Sequence, residues 1–293
     1  MLYFSFDQKT EDLKPLIDEY LQLHSINLDD GKYYFFFDEV QKLGDWQNKL
    51  KVFYDFYPNI KFFVSGSANI SLVRNSSESL VGRIQFFCID PLDFREWIEL
   101  NKLGIDLNKI DLYEKELKQA FSWFLKTPFP QIAGERDDLK IKQFTEDFVL
   151  ARVIAFDLAK EFKNADIDLL MTLKNLFFSE PGMILNYDQL SSDLKRSKKH
   201  LIKHVNYLEQ AFLIRIVKNY RTSALSSSRK LKKIYPYHPC FSYNKEESKI
   251  MENAFASILN ARHYWRDKEK EVDFICEGTP VEVKYRENIS SDD

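Results

Sequence analysis

A chain of 293 residues is too long for one ordinary hydrophobic core, so two or three domains are expected. Its 44% apolar and 30% charged residues are the balance of a soluble globular protein, and no apolar run approaches the ~18 residues of a membrane span. A formal charge of −3 excludes a polyanion binder acting through the whole molecule and leaves nucleic-acid contact to a local patch. Met1–Asp7 shows no secretory pattern. Cys88, Cys240 and Cys276 are too far apart for a metal-type pair and read as reduced thiols of a cytoplasmic protein. In chain order, residues 2–6 read as a short buried strand. Leu13, Leu16, Ile17, Tyr20 and Leu21 then fall at helical spacing. Tyr33–Phe37 is a strand apolar on both faces, as in a parallel sheet covered by helices. Asp45–Tyr57 reads as a helix, Ile60–Val64 as a third strand and Ile84–Ile89 as a fourth. That alternation predicts a parallel α/β sheet. Residues 91–165 are mostly helical in pattern, with breaks near Pro128 and Pro130. From 167 to 235 come short helices, a basic helix and two strands, with a loop at 223–230 (SALSSSRK). The last segment has a helix at Met251–Leu259 and strands at Val272–Cys276 and Pro280–Tyr285.

Five consecutive aromatic residues, Tyr33–Phe37, end on the adjacent carboxylates Asp38 and Glu39. Carboxylates are rarely buried without a partner, so a cation is expected there, unless the pair merely caps the next helix. The layout is similar to the strand of a P-loop ATPase whose terminal aspartate holds Mg²⁺ through water and whose adjacent glutamate polarises the attacking water. Four stretches in order, FFFDEVQKLGDW, KFFVSGSA, LVGR and DPLDFREW, resemble the prokaryotic AAA+ ATPases of the AAA_14/DUF4143 (archaeal ATPase-like) group over most of the chain. The resemblance implies ATP and Mg²⁺ as cofactors. It maps the metal aspartate onto Asp38, the catalytic glutamate onto Glu39, the phosphate-sensing turn onto Ser65 and Ser67, and a phosphate-reaching arginine onto Arg83. The sequence has eight glycines and no G-x-x-x-x-G-K-[ST] loop, the segment whose amides cradle the phosphates. The expectation is therefore a truncated P-loop sheet lacking its central strand, or a start codon placed too late.

Residues 187–220 contain two helices separated by a tight break, with Ser197 as N-cap of the second and Leu201, Val205, Leu208 and Phe212 as its core stripe. Arg196, Lys198, Lys199 and Lys203 lie on or beside its exposed faces. Strands at Leu213–Lys218 and Leu231–Tyr235 would form a wing, with Arg229, Lys230, Lys232 and Lys233 near its turn. A winged helix-turn-helix places such lysines on DNA phosphates, though it can equally be a spacer or a protein contact. His200 and His204 have a spacing zinc can use, but without a third ligand they read as ordinary packing or surface histidines.

The tail contains Glu252 on a helix, Asp273 on a strand, and Glu282-Val283-Lys284. The Glu-x-Lys alternation sets both polar side chains on one strand face. The order resembles a PD-(D/E)XK nuclease. It implies a divalent metal held by Glu252, Asp273 and Glu282, with Glu282 and Lys284 catalytic; a non-cleaving copy is the alternative. The expected fold class is α/β: a truncated AAA+ core at 1–100, a helical lid region at 101–165, a winged helix at 166–235 and an incomplete nuclease-like domain at 236–293. The expected function is an ATP-binding protein with a DNA-related role; a non-catalytic DNA- or protein-binding remnant is the rival. Oligomerisation is left open.

Overall fold

The computed structural model describes residues 1–7, 12–28, 31–66, 80, 82–159, 162, 164–220 and 232–285, with backbone alone for 148 and 156. These residues form two compact units, Met1–Cys88 and Ile89–Asp293. None of the described helices is long and apolar enough to cross a membrane.

In the first unit, β1 (Leu2–Ser5), β2 (Tyr33–Asp38) and β3 (Ile60–Val64) form a parallel sheet in that order. Helices α1 (Leu13–Leu23) and α2 (Trp46–Phe56) are the crossovers that parallel strands require. The register Leu2↔Phe35, Phe4↔Phe37 and Phe35↔Phe62 brings one set of alternate residues onto a single face. There Phe35 and Phe37 pack with Leu13, Leu16, Ile17, Trp46, Leu50 and Phe53 from the two helices. The opposite face departs from expectation. Tyr3 is 64% exposed, Tyr34 44% and Phe63 41%, although Phe36 and Phe63 stack with centroids 4.7 Å apart. The expected fourth strand also differs. Residues 84–89 form no ladder, and Phe87 and Ile89 are exposed. An apolar run becomes a strand only where another strand satisfies its backbone, and none of the described residues does so here.

The second unit begins with α3 (Phe94–Leu100), whose capping box joins Asp93 and Glu96. Trp97 on α3 is fully buried and donates its indole N–H to the Thr127 carbonyl at 3.0 Å. Next come α4 (Glu114–Phe124), α5 (Asp138–Gln143), and π-helical turns at Phe144–Ala151 and Val153–Leu158. Then follow α6 (Ile167–Ser179), β4 (Met183–Leu185), α7 (Tyr187–Leu194), α8 (Lys198–Gln210), β5 (Ile214–Asn219) and β6 (Lys232–Pro236). The chain continues through α9 (Glu247–Ile258), β7 (His263–Asp267), β8 (Lys270–Cys276) and β9 (Thr279–Val281). One six-stranded sheet, ordered β4-β6-β5-β7-β8-β9, runs through both segments that the sequence divides at residue 235. Its middle joint is the parallel β5–β7 pair, which spans only Lys218↔His263 and Asn219↔Tyr264. Strands β4 and β7 are additions to the elements expected from the sequence, and the last strand ends at Val281 rather than Tyr285.

Candidate functional site

Asp38 closes β2 at the end where all three parallel strands finish, the usual ligand side of an open α/β sheet. Its neighbours are set by register. Ser5 of β1 pairs with Asp38, and Ser65 follows β3, its N–H bonding Phe37 O at 2.9 Å. Both flanking hydroxyls donate to the carboxylate: Ser65 Oγ to Oδ1 at 2.6 Å and Ser5 Oγ to Oδ2 at 3.4 Å. The first is a short charge-assisted bond. The carboxylate is thus oriented while each oxygen keeps a lone pair, enough for contact with a Mg²⁺-bound water but not for an all-protein cage. Glu39 follows with φ +53°, which turns the chain sharply, and its Oε2 accepts from Gln41 Nε2 at 2.7 Å. Ser67 lies outside the described residues. Arg83 is not brought to Asp38. Its Nε donates to Asp55 Oδ1 at 3.1 Å. Because β2 and β3 are parallel, α2 runs back between them, so Asp55 in its last turn stands at the opposite end of the sheet.

Helices α7 and α8 meet through a left-handed residue, Lys195 (φ +51°), and each has a side-chain cap, Asn186 and Ser197. Leu201, Val205 and Leu208 are fully buried, as the stripe predicts, whereas Phe212 leaves the helix with φ +55°. The basic residues divide. Arg196 faces Asp166 at 3.4 Å and Lys198 pairs with Asp188 at 2.8 Å. Lys199 and Lys203 are exposed, Lys203 lying over the Tyr207 ring at 5.5 Å. Arg229 and Lys230 lie outside the described residues. His204 is fully buried and both ring nitrogens are used. Nε2 accepts from Asp166 N at 2.9 Å, so Nδ1 carries the proton and donates to His200 O at 2.8 Å. That arrangement, with burial pushing its pKa down, makes it a neutral packing residue.

In the tail, Glu252 and Asp273 do converge, but on a residue that sequence pattern alone does not single out. Lys233 Nζ lies 2.6 Å from Glu271 Oε1, 3.2 Å from Glu252 Oε1 and 3.6 Å from Asp273 Oδ1. Tyr235 Oη donates to the same Glu252 oxygen at 2.6 Å. Asp273 Oδ2 accepts the Val283 N–H at 3.0 Å, closing the ladder beyond β9. Burial and the nearby Asp273 carboxylate push Glu282 upward, yet its residue is exposed at the edge of the cluster. Lys284 is half-buried beside it. Lys233-x-Tyr235 and Glu271-x-Asp273 each set two polar side chains on one strand face, but neither alternation shows that the two faces meet. Among the described residues, no three His, Cys, Asp or Glu side chains are arranged to hold a metal ion.

Residues 1–98 match the family model of an AAA domain, and residues 118–239 match that of a domain of unknown function, DUF8612. Two uncharacterized proteins of Methanocaldococcus jannaschii are similar to this chain. MJ1637 is 28% identical over 306 residues, covering 96% of this chain and 59% of its own length. MJ1544 is 24% identical over 264 residues, covering 85% and 59%. The chain therefore spans about three fifths of the length of these relatives. The matched family model and the parallel three-stranded sheet agree on an AAA-like α/β fold for the N-terminal third.

Proposed function

We propose that this chain is an AAA-type protein that handles ATP with Mg²⁺ and acts on DNA, its first unit supplying the metal- and water-holding half of the nucleotide site. The observation that carries the reading is Asp38, gripped by the Ser5 and Ser65 hydroxyls at the ends of three parallel strands. In this reading Asp38 would hold Mg²⁺ through water and Glu39 would orient the attacking water. Mg²⁺ held there with ATP would supply compensation for the negative charge that develops in phosphoryl transfer. The sequence as given carries no phosphate-cradling loop, so its own residues grip the phosphates poorly and turnover is weak. The second unit joins this reading as a winged helix. Support comes from the order α6-β4-α7-α8-β5-β6 and from the two exposed lysines, Lys199 and Lys203, on α8.

The test is Mg²⁺-dependent binding and hydrolysis of ATP by the full chain. Weak binding that Asp38→Asn abolishes, with phosphate release close to the buffer rate, is expected. Robust turnover that Glu39→Gln abolishes would show that another segment does the work of the loop. Binding indifferent to both Mg²⁺ and Asp38 would leave the rival reading, a non-catalytic DNA- or protein-binding protein.

A further inference from the structure

The nuclease-like tail implies a divalent metal among Glu252, Asp273 and Glu282, and the arrangement there tests that implication without reference to the nucleotide reading. Glu252, Glu271 and Asp273 offer six carboxylate oxygens, and five of them already face a donor. Glu252 Oε1 faces Tyr235 Oη and Lys233 Nζ. Glu271 Oε1 faces Lys233, and its Oε2 faces Arg266 at 3.4 Å. Asp273 Oδ1 faces Lys233, and its Oδ2 accepts from Val283 N. A Mg²⁺ ion demands near-octahedral oxygen ligands at 2.0–2.1 Å. The centre from which one ion would reach these three carboxyl groups is where the ammonium stands. Its side chain is only 6% exposed and lies over the Tyr264 ring at 5.5 Å. Glu282, which the implied ligand set requires, is exposed at the edge of the cluster beside Asp273. The residues present do not fit the metal.

We propose that Lys233 is the resident cation of this cluster: its ammonium joins Glu252, Glu271 and Asp273 in place of a divalent ion, so the site is a metal-free structural clamp and not a cleaving centre. Local structure explains how the ammonium arrives there. Lys233 and Tyr235, two apart on β6, project to the same face and meet Glu252 of α9 together. Gly182, with φ +80°, brings the backbone against that carboxylate so closely that an added Cβ would lie 3.1 Å from Glu252 Oε1. Burial by itself would lower the pKa of this ammonium. The carboxylates of Glu252, Glu271 and Asp273 outweigh burial and hold it above the ordinary lysine value. The clamp therefore joins β6, α9 and β8, which are far apart in sequence.

Two measurements on the full chain decide the matter. The first is the number of Mn²⁺ ions bound, read from the loss of the free-ion paramagnetic resonance signal. Wild type, Glu252→Gln and Asp273→Asn should bind the same number, whatever other sites the chain has. One ion more in wild type than in both variants overturns the proposal. The second is the thermal midpoint of Lys233→Met, which keeps the unbranched stem, one atom shorter, and removes the charge. It should fall well below that of wild type, and an unchanged midpoint overturns the clamp. Should Lys233→Met fail to fold, the comparison of wild type with Glu252→Gln and Asp273→Asn still decides whether a metal sits there.

Discussion

His238 should make the second unit lose stability as the pH falls below neutrality. It lies between β6 and the 3-10 turn Pro239–Phe241, buried with its ring edge-on to Phe124 at 5.7 Å. Burial, and secondarily the positive charge of Arg215, push its pKa down to about 3. The hydrogen bond points the same way, because Nδ1 accepts the Cys240 N–H at 3.1 Å and cannot do so once protonated. In the unfolded chain the same imidazole titrates near 6.5. Below that pH the unfolded state takes up a proton that the folded state refuses. Stability is then fully present above about 6.5 and falls by ~1.4 kcal/mol per pH unit until the folded value is reached. Between pH 7 and 5 the loss from this one residue is about 2 kcal/mol. For a unit of this size that corresponds to about 4–8 °C in midpoint. The control is His238→Asn, whose amide oxygen can still accept from Cys240 but which does not titrate. Its fixed packing loss is the same at every pH. Urea unfolding of both proteins, followed by the fluorescence of tryptophans such as the buried Trp97, should give stability curves that converge as the pH falls from 7 to 5. Parallel curves would refute the assignment of a buried neutral imidazole.

Replacing Lys199 and Lys203 together with alanine should weaken duplex DNA binding and flatten its log–log salt dependence by about one unit for each phosphate left without a lysine; unchanged affinity and slope would remove α8 as the DNA site. Lys198→Ala should do less, since that lysine is already paired with Asp188. Gly182→Ala should destabilise the second unit by more than ~1 kcal/mol, because alanine is strained at φ +80° and its Cβ would press on Glu252 and the Tyr235 ring; a urea midpoint equal to wild type would contradict that geometry.

What could be read from the sequence was what local pattern dictates. The aromatic run ending on Asp38 marked a strand, because consecutive bulky aromatic residues suit a pleated, half-buried surface. Ser197 as a cap, and Leu201, Val205 and Leu208 as a buried stripe, followed from helical period alone. Where pairing between distant segments decides the outcome, the pattern was silent. Residues 84–89 have a strand's composition, but a strand is a relation between two segments and these found no partner among the described residues. Arg83, expected to reach phosphates, instead pairs with Asp55, which the crossover helix carries to the far end of the sheet. Lys233 is the clearest case. In "RKLKK" it looks like any other wing lysine. Only the ladder that faces β6 toward α9, and the turn of the sheet that carries β8 to the same place, convert a solvent-type side chain into a buried ammonium among three carboxyl groups. Charge compensation acts through space, over a few ångströms, between residues that no sequence window contains together.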